Sequence, residues 1–281
     1  MIDYRRMTPD DIPAGLALCR SAGWNQLARD WELFLLMNPD GCLVGTDEND
    51  KVVGTVTAIR YEGHFSWIGM VLVDPARKRQ GIGTQLLHEA LKILHEEQTV
   101  KLDATPAGRE VYLKLNFIDE YSLSRMYIKD VSSEKLSASG ARAITESDFP
   151  SLLKSDTEVF GADRKAVLEW IWKSAPQFAY IIEENKEISA YCFGRNGHNY
   201  IHIGPVVAKN MDYAVQVVSA ALQNCSGKSV IIDANHDLNW QQWLSSIGFA
   251  EQRQFIRMYR GSNAWPGIPP KQFAILGPEF G

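Results

Sequence analysis

At 281 residues, 45% apolar and 22% charged, the chain is long enough for two ordinary domains with cores of their own. Its net charge of −5 excludes a general attraction to nucleic acid or to an anionic membrane, and no uninterrupted apolar run is long enough to span a bilayer. Cys19, Cys42, Cys192 and Cys225 form no C-x-x-C pair and read as buried thiols in a reducing compartment, and no apolar targeting segment is visible, so the cytoplasm is the expected location.

Residues 2–7 read as a short first strand. Thr8, Pro9, Asp10 and Asp11 then supply an N-cap, a proline for the first helical position and two acids for the positive dipole end, which predicts a helix to about residue 22. Gly23-Trp24-Asn25-Gln26 interrupts it, and a second helix carries Trp31, Phe34, Leu35 and Leu36 to about residue 37. Runs at 42–46, 51–61 and 64–73, divided by polar turns, predict an antiparallel meander.

The third run ends in Val71-Leu72-Val73, stops at Asp74-Pro75 and crosses a basic turn of Arg77, Lys78 and Arg79. An amphipathic helix restarts from Thr84, with Leu86, Leu87, Ala90, Leu91 and Leu94 on one face and His88 and His95 off it. Gly81 and Gly83 open backbone angles closed to other residues, so the amides of Gln80, Gly81, Ile82, Gly83 and Thr84 can face outward at a helix start. That arrangement favours an anion such as a phosphate. The turn lacks the lysine and hydroxyl pair of a nucleoside-triphosphate loop and the third glycine of a dinucleotide fingerprint. A strand at 100–104 follows, Thr105-Pro106-Ala107-Gly108 opens a helix ending at Leu115, and a strand at 117–127 is expected to close the sheet.

Residues 131–140, VSSEKLSASG, have a linker's composition. The plan then restarts. Ala141-Arg142-Ala143-Ile144-Thr145-Glu146-Ser147-Asp148 parallels Tyr4-Arg5-Arg6-Met7-Thr8-Pro9-Asp10-Asp11 in having a short strand, a threonine cap and an acidic first turn. Runs at 178–183, 187–194 and 200–207 suggest a second meander, followed by a helix at 211–224, a strand at 229–234, a helix at 239–247, Gly248-Phe249 and a last strand. No glycine loop follows Val206-Val207, where Ala208-Lys209-Asn210-Met211 stands instead.

Lys78-Arg79-Gln80-Gly81-Ile82-Gly83 resembles motif A of the GNAT acyltransferases, (R/Q)-x-x-G-x-(G/A), with Lys78 where Arg or Gln is usual. Val111-Tyr112-Leu113-Lys114-Leu115-Asn116-Phe117 resembles their motif B, "LYxKLGF", with Asn116 at the glycine position. The second half is similar to the C-terminal module of a group of two-domain GNAT proteins through Phe160-Gly161-Ala162-Asp163-Arg164, Ile203-Gly204-Pro205 and the tail Phe273-Ala274-Ile275-Leu276-Gly277-Pro278-Glu279. The resemblance implies an α/β (α+β) fold of two tandem GNAT-like domains, 1–130 and 141–281, joined by 131–140. Each would be a mixed, mostly antiparallel sheet flanked by helices, the second without a cofactor loop.

By the same resemblance the co-substrate is acetyl-CoA, with no metal, and the reaction is acetyl transfer to a primary amine of a small or amino-acid-like acceptor; no nucleic acid or membrane partner is implied. Lys78, Arg79, Gln80, Gly81, Ile82, Gly83 and Thr84 would hold the pyrophosphate. Met70, Val71 and Val73 would pair with the pantetheine arm as with an added strand, the backbone at Met70 or Val71 polarising the thioester oxygen. Tyr112 would be the acid for the departing thiolate, and Trp24 and Asn25 would border the acceptor. The motifs name no general base. Glu62, His64 and Asp103 are candidates for it, and Asp163, Arg164, Asp233 and His236 are candidates from the second half for the acceptor pocket. The rival reading is a non-catalytic acyl-CoA sensor or assembly module, which keeps the loop and does not need Tyr112.

Overall fold

The computed structural model describes residues 1–137 and 140–281; Ala138 and Ser139, within the expected linker, lie outside the described residues. The first half runs β1 (Asp3–Arg6), α1 (Ile12–Ser21), α2 (Ala28–Met37), β2 (Leu43–Thr46), β3 (Val52–Tyr61), β4 (Phe65–Val73), α3 (Ile82–Ile93), β5 (Thr99–Ala104), α4 (Pro106–Leu113) and β6 (Ile118–Ile128). The second runs β7 (Arg142–Ala143), α5 (Phe149–Phe160), α6 (Lys165–Ser174), β8 (Tyr180–Glu184), β9 (Glu187–Asn196), β10 (Ile201–Ala208), α7 (Met211–Leu222), β11 (Val230–Asn235), α8 (Leu238–Ser246), β12 (Ala250–Gly261) and β13 (Gln272–Ile275).

The internal echo is visible in atomic detail. Asp11 accepts from the Arg5 guanidinium at 2.8 and 2.9 Å and from the Thr8 amide at 2.8 Å. Asp148 accepts from Arg142 at 2.7 and 2.7 Å and from the Thr145 amide at 2.7 Å. In each half this carboxylate starts the first long helix. The hydrogen bonds from Arg142 hold the Asp148 carboxyl down at about 2, against an ordinary value of 3.8. Because the folded value is the lower one, this stabilisation is complete above the ordinary value and is lost as pH falls toward the folded one. Asp148→Asn should cost about 1 kcal/mol at neutral pH. It should also flatten the acid limb of a pH-dependent thermal melt, and an unchanged acid limb would remove the assignment.

The strands form one 13-stranded sheet in the order β1-β2-β3-β4-β5-β12-β6-β11-β13-β10-β9-β8-β7. The sequence places a closing strand at 117–127, but β6 does not pair with β5. β12 lies between them, pairing Ile256 with Ala104 and Arg257 with Asp103 on one side and Phe255 with Leu123 on the other. The far edge of β6 pairs with β11, placing Asp233 opposite Arg125. The halves thus exchange strands, and each supplies the backbone partners that the other's edges lack.

Buried charges fasten the exchange. Arg195 pairs with Asp30 at 2.8 Å and with Glu279, Arg257 with Asp103 at 2.9 Å, and Arg125 with Asp233 at 2.7 Å. The Arg195–Asp30, Arg257–Asp103 and Arg125–Asp233 pairs each join the two halves of the sequence. Apolar packing does the same, since Phe34 of α2 stacks on Phe280 at 4.8 Å and Trp31 and Phe160 share one buried cluster. The four cysteines are free and buried.

The second half carries a blocked copy of the first half's architecture. β10 and β11 pair in parallel only at Ile201–Val230 and His202–Ile231. Beyond that point β13 lies between them, with Ala274 against Val206 and Ile275 against Asp233. The start of α7 is capped by Asn210, whose side chain accepts from the Tyr213 amide at 3.1 Å. A slot filled by the chain's own strand and a helix end capped by its own side chain leave no place for an added ligand. Among the described residues no helix is long and apolar enough to cross a membrane.

Candidate functional site

In the first half the corresponding slot is open. β4 pairs with β5 in parallel only at Ser66–Val100 and Trp67–Lys101, after which the strands diverge. On its other side β4 carries a bulge, because the register jumps between Thr55–Leu72 and Thr57–Gly69. Met70 sits in that bulge at φ 52°, with its carbonyl accepting from the Thr55 hydroxyl at 2.7 Å. The splay opens a cleft of about 420 Å³ that reaches from the turn before α3 to the tail of the chain.

The turn before α3 is built to receive an anion. Gly81 adopts φ 80° as the residue before the helix, and no side chain caps it. Among the described residues no acceptor meets the backbone amides of residues 78–84, whereas the next amide, of Gln85, bonds to the Gly81 carbonyl at 2.9 Å. A Cβ on Gly81 would meet nothing within 4 Å, so open space lies beyond it. Lys78 and Arg79 are exposed and form no ion pair among the described residues, while Arg77 is tied to Asp47 at 3.3 Å. Unpaired amides, a positive helix end and two free cations together fit a diphosphate.

Further along the cleft lies Tyr112 on α4. Thr105 caps that helix by accepting from the Gly108 amide at 3.1 Å, and Asn116 ends the segment in the left-handed conformation at φ 63°. The Tyr112 ring packs edge-on against the buried Phe117 at 5.9 Å. Its hydroxyl has no hydrogen-bond partner among the described residues, and burial pushes its pKa up to about 12. A phenol held protonated and facing a cleft can donate a proton and has no competing acceptor in the protein.

Met70, Val71, Val73, Lys78, Arg79, Gly81, Ile82, Gly83, Thr84, Tyr112, Trp24 and Asn25 all line this one cleft. Gln80 does not, and it is exposed. The Asn25 side chain is engaged with the second half: its oxygen accepts from the amides of Asn199 at 2.8 Å and Tyr200 at 3.0 Å, and its nitrogen donates to the Tyr200 carbonyl at 3.1 Å. Asn25 therefore fixes the corner that presents Trp24.

Of the candidate bases, only Asp103 reaches the cleft, and it is bound by Arg257. Glu62 accepts from the Asp163 amide at 2.8 Å, and His64 stacks on Trp265 at 3.9 Å. Asp163 accepts from the Lys165 amide at 2.6 Å, Arg164 is buried against Asp156, and His236 bonds Ser124 at 2.7 Å. Asp233 is buried behind Arg125. None of these last six lines the cleft. Among the described residues no cluster of three or more His, Cys, Asp or Glu side chains could hold a metal.

The end of the cleft against the chain's tail also holds residues to which the sequence gave no site role: Gln26, Arg125, Arg253, Phe255 and Glu279. Glu279 accepts from Gln26 at 2.9 Å and from Arg195. Burial pushes its pKa up, but the Arg195 charge, the hydrogen bond from Gln26 and the His202 charge together keep it below the ordinary value. The tail is seated firmly, since the Trp67 indole donates to the Pro278 carbonyl at 2.9 Å and the Tyr61 hydroxyl to the Phe280 carbonyl at 2.7 Å. A Cβ on Gly69 would come within 2.9 Å of the Glu279 Cα, so the close approach of tail to bulge requires glycine there. The only sequence signal for this end was the tail motif, which marked a group of proteins and no position in space.

A family model described as "Acetyltransferase (GNAT) family" matches residues 14–117, and one described as "Acetyltransferase (GNAT) domain" matches residues 152–274. The chain is 23% identical over 251 residues to YitH of Bacillus subtilis (strain 168), an uncharacterised N-acetyltransferase, covering 87% of this chain and 86% of that one. Among solved structures, a protein from Pyrococcus horikoshii described as a candidate acetyltransferase aligns with a TM-score of 0.82 at 23% identity, covering 100% of this chain and 96% of the other. A tandem GNAT protein from the clavulanic acid biosynthesis pathway aligns with a TM-score of 0.62 at 12% identity, covering 92% and 98%. At these identities the solved structures establish a shared fold.

Proposed function

The chain belongs to the GNAT superfamily of acetyltransferases, and from that premise we propose that it transfers an acetyl group from acetyl-CoA to a primary amine of a small acceptor. The first half, 1–130, would hold the co-substrate, and the second, 141–281, would complete the acceptor end. The observation that carries this reading is the single cleft in which unpaired amides and an unpartnered phenol both open.

Acetyl-CoA, when bound, supplies an acyl thioester as the electrophile. The amides of residues 78–84, with Lys78 and Arg79, hold the diphosphate, and Met70, Val71 and Val73 line the slot for the pantetheine arm. The backbone at Met70 or Val71, where the bulge interrupts β4, would polarise the thioester oxygen, where negative charge develops. Tyr112 donates its phenolic proton to the departing thiolate. Glu279, kept ionised by Arg195, receives the amine's proton through water. Trp24 and Phe255 wall the acceptor end.

Thiol release from acetyl-CoA, followed across small amines, amino acids, polyamines and peptides with free N-termini, tests this function. Turnover with a small amine is expected. Tight coenzyme A binding with no thiol release from any member would favour the sensor reading.

A further inference from the structure

We propose that the acceptor carries an anionic group, a carboxylate or a phosphate, and that Arg253 binds it at the end of the cleft opposite the diphosphate loop. This rests on the acyl-transfer reading and adds the chemical class of the acceptor to it. Arg253 and Arg125 are directly opposed across β12 and β6, next to a register shift between Glu251 and Arg253. Like charges facing each other across two strands repel, so the arrangement needs counter-charge. Arg125 has its own: the Asp233 carboxylate takes its Nε and Nη2 at 2.7 and 2.7 Å.

Arg253 has none. Among the described residues it forms no hydrogen bond, ion pair or ring contact, although its side chain is half-buried and lines the cleft. Burial and the neighbouring Arg125 charge push its pKa down, and the Asp233 carboxylate, already bonded to Arg125, and Tyr200 offset this only in part. The other charges at this end are already matched: Glu279 by Arg195, Asp103 by Arg257 and Arg125 by Asp233. Among the described residues Arg253 is therefore the guanidinium at this end without a bonded counter-charge, and its planar fork suits a carboxylate or phosphate. An acceptor whose amine lies toward Tyr112 and whose anion lies on Arg253 would span the cleft.

The test compares matched amines with acetyl-CoA on wild type, Arg253→Gln and Arg253→Lys. The pairs are α-amino acids against their amides, β-alanine against β-alaninamide, and phosphoethanolamine against ethanolamine, which separates carboxylate from phosphate. In at least one pair, wild type should favour the anionic member by about 10-fold or more in kcat/KM. Arg253→Gln should erase that preference by lowering the anionic member alone, and Arg253→Lys should restore part of it. Equal turnover of both members by wild type, or an equal fall for both in Arg253→Gln, would overturn the anion site. Failure of every amine would instead count against acyl transfer. The anion site would then be decided by calorimetry on the coenzyme A complex: N-acetyl amino acids should bind more tightly than their amides in wild type and equally in Arg253→Gln, whereas equal binding in wild type would refute it.

Discussion

Tyr112→Phe is expected to lower kcat by about 10²- to 10⁴-fold while acetyl-CoA affinity changes less than about threefold, the range for loss of a positioned general acid. The substitution removes one oxygen and leaves the ring, so the contact with Phe117 and the packing against Gly108 persist. Because the hydroxyl has no partner among the described residues, its loss orphans no buried group and the fold should be unaffected. The pH dependence carries a second, independent signature. Burial raises the phenol's pKa from 10.0 to about 12, which means the neutral, donating form persists through the alkaline range. The alkaline fall of kcat in the wild type should therefore lie well above the ordinary tyrosine value. A rate for Tyr112→Phe within threefold of wild type, or an alkaline limb already falling near pH 8, would remove Tyr112 from the mechanism.

Gly83→Phe is the second large effect: acetyl-CoA affinity should fall by about 100-fold or more, which is about 2.7 kcal/mol. Gly83 lies in the first turn of α3, with its amide among those lacking a protein acceptor and its surface lining the cleft. The Cβ would sit 3.3 Å from Val73 Cγ2, a contact relieved by a slight shift of that methyl, so the larger ring is directed into the ligand's space. Helix propensity itself improves when glycine is replaced, and the thermal midpoint should move by only a few degrees. Gly81 is the less clean choice because its φ of 80° strains any other residue. Retained affinity in a folded Gly83→Phe protein would show that the diphosphate binds elsewhere.

These two residues were legible in the sequence because their chemistry is local. A glycine before a helix, an asparagine able to close one at Asn116, and a strand ending at Asp74-Pro75 all act through backbone angles and neighbours a few positions away. The repeated pattern of a threonine followed by an acidic first turn was legible for the same reason, although the carboxylates of Asp11 and Asp148, and not the threonines, accept the amide hydrogen bonds; so was the second half's missing loop, where Asn210 now caps the helix.

The tail end of the cleft could not be read in that way. Arg253 and Glu279 reach the cleft only because β12 crosses into the first half and the tail packs under the β4 bulge. The pattern of apolar residues in β6 suits pairing with either β5 or β12, since alternation fixes which face is buried but not which strand lies alongside. That decision came from contacts more than a hundred residues apart, above all the Arg257–Asp103 and Arg125–Asp233 pairs. The sequence by itself determined the glycine turn before α3, the phenol and the repeated plan, through short-range backbone preference. Only the tertiary structure decided which half closes the cleft and that Arg253 stands in it without a bonded partner among the described residues, because strand order and charge pairing are settled by distant partners meeting in a low-dielectric interior.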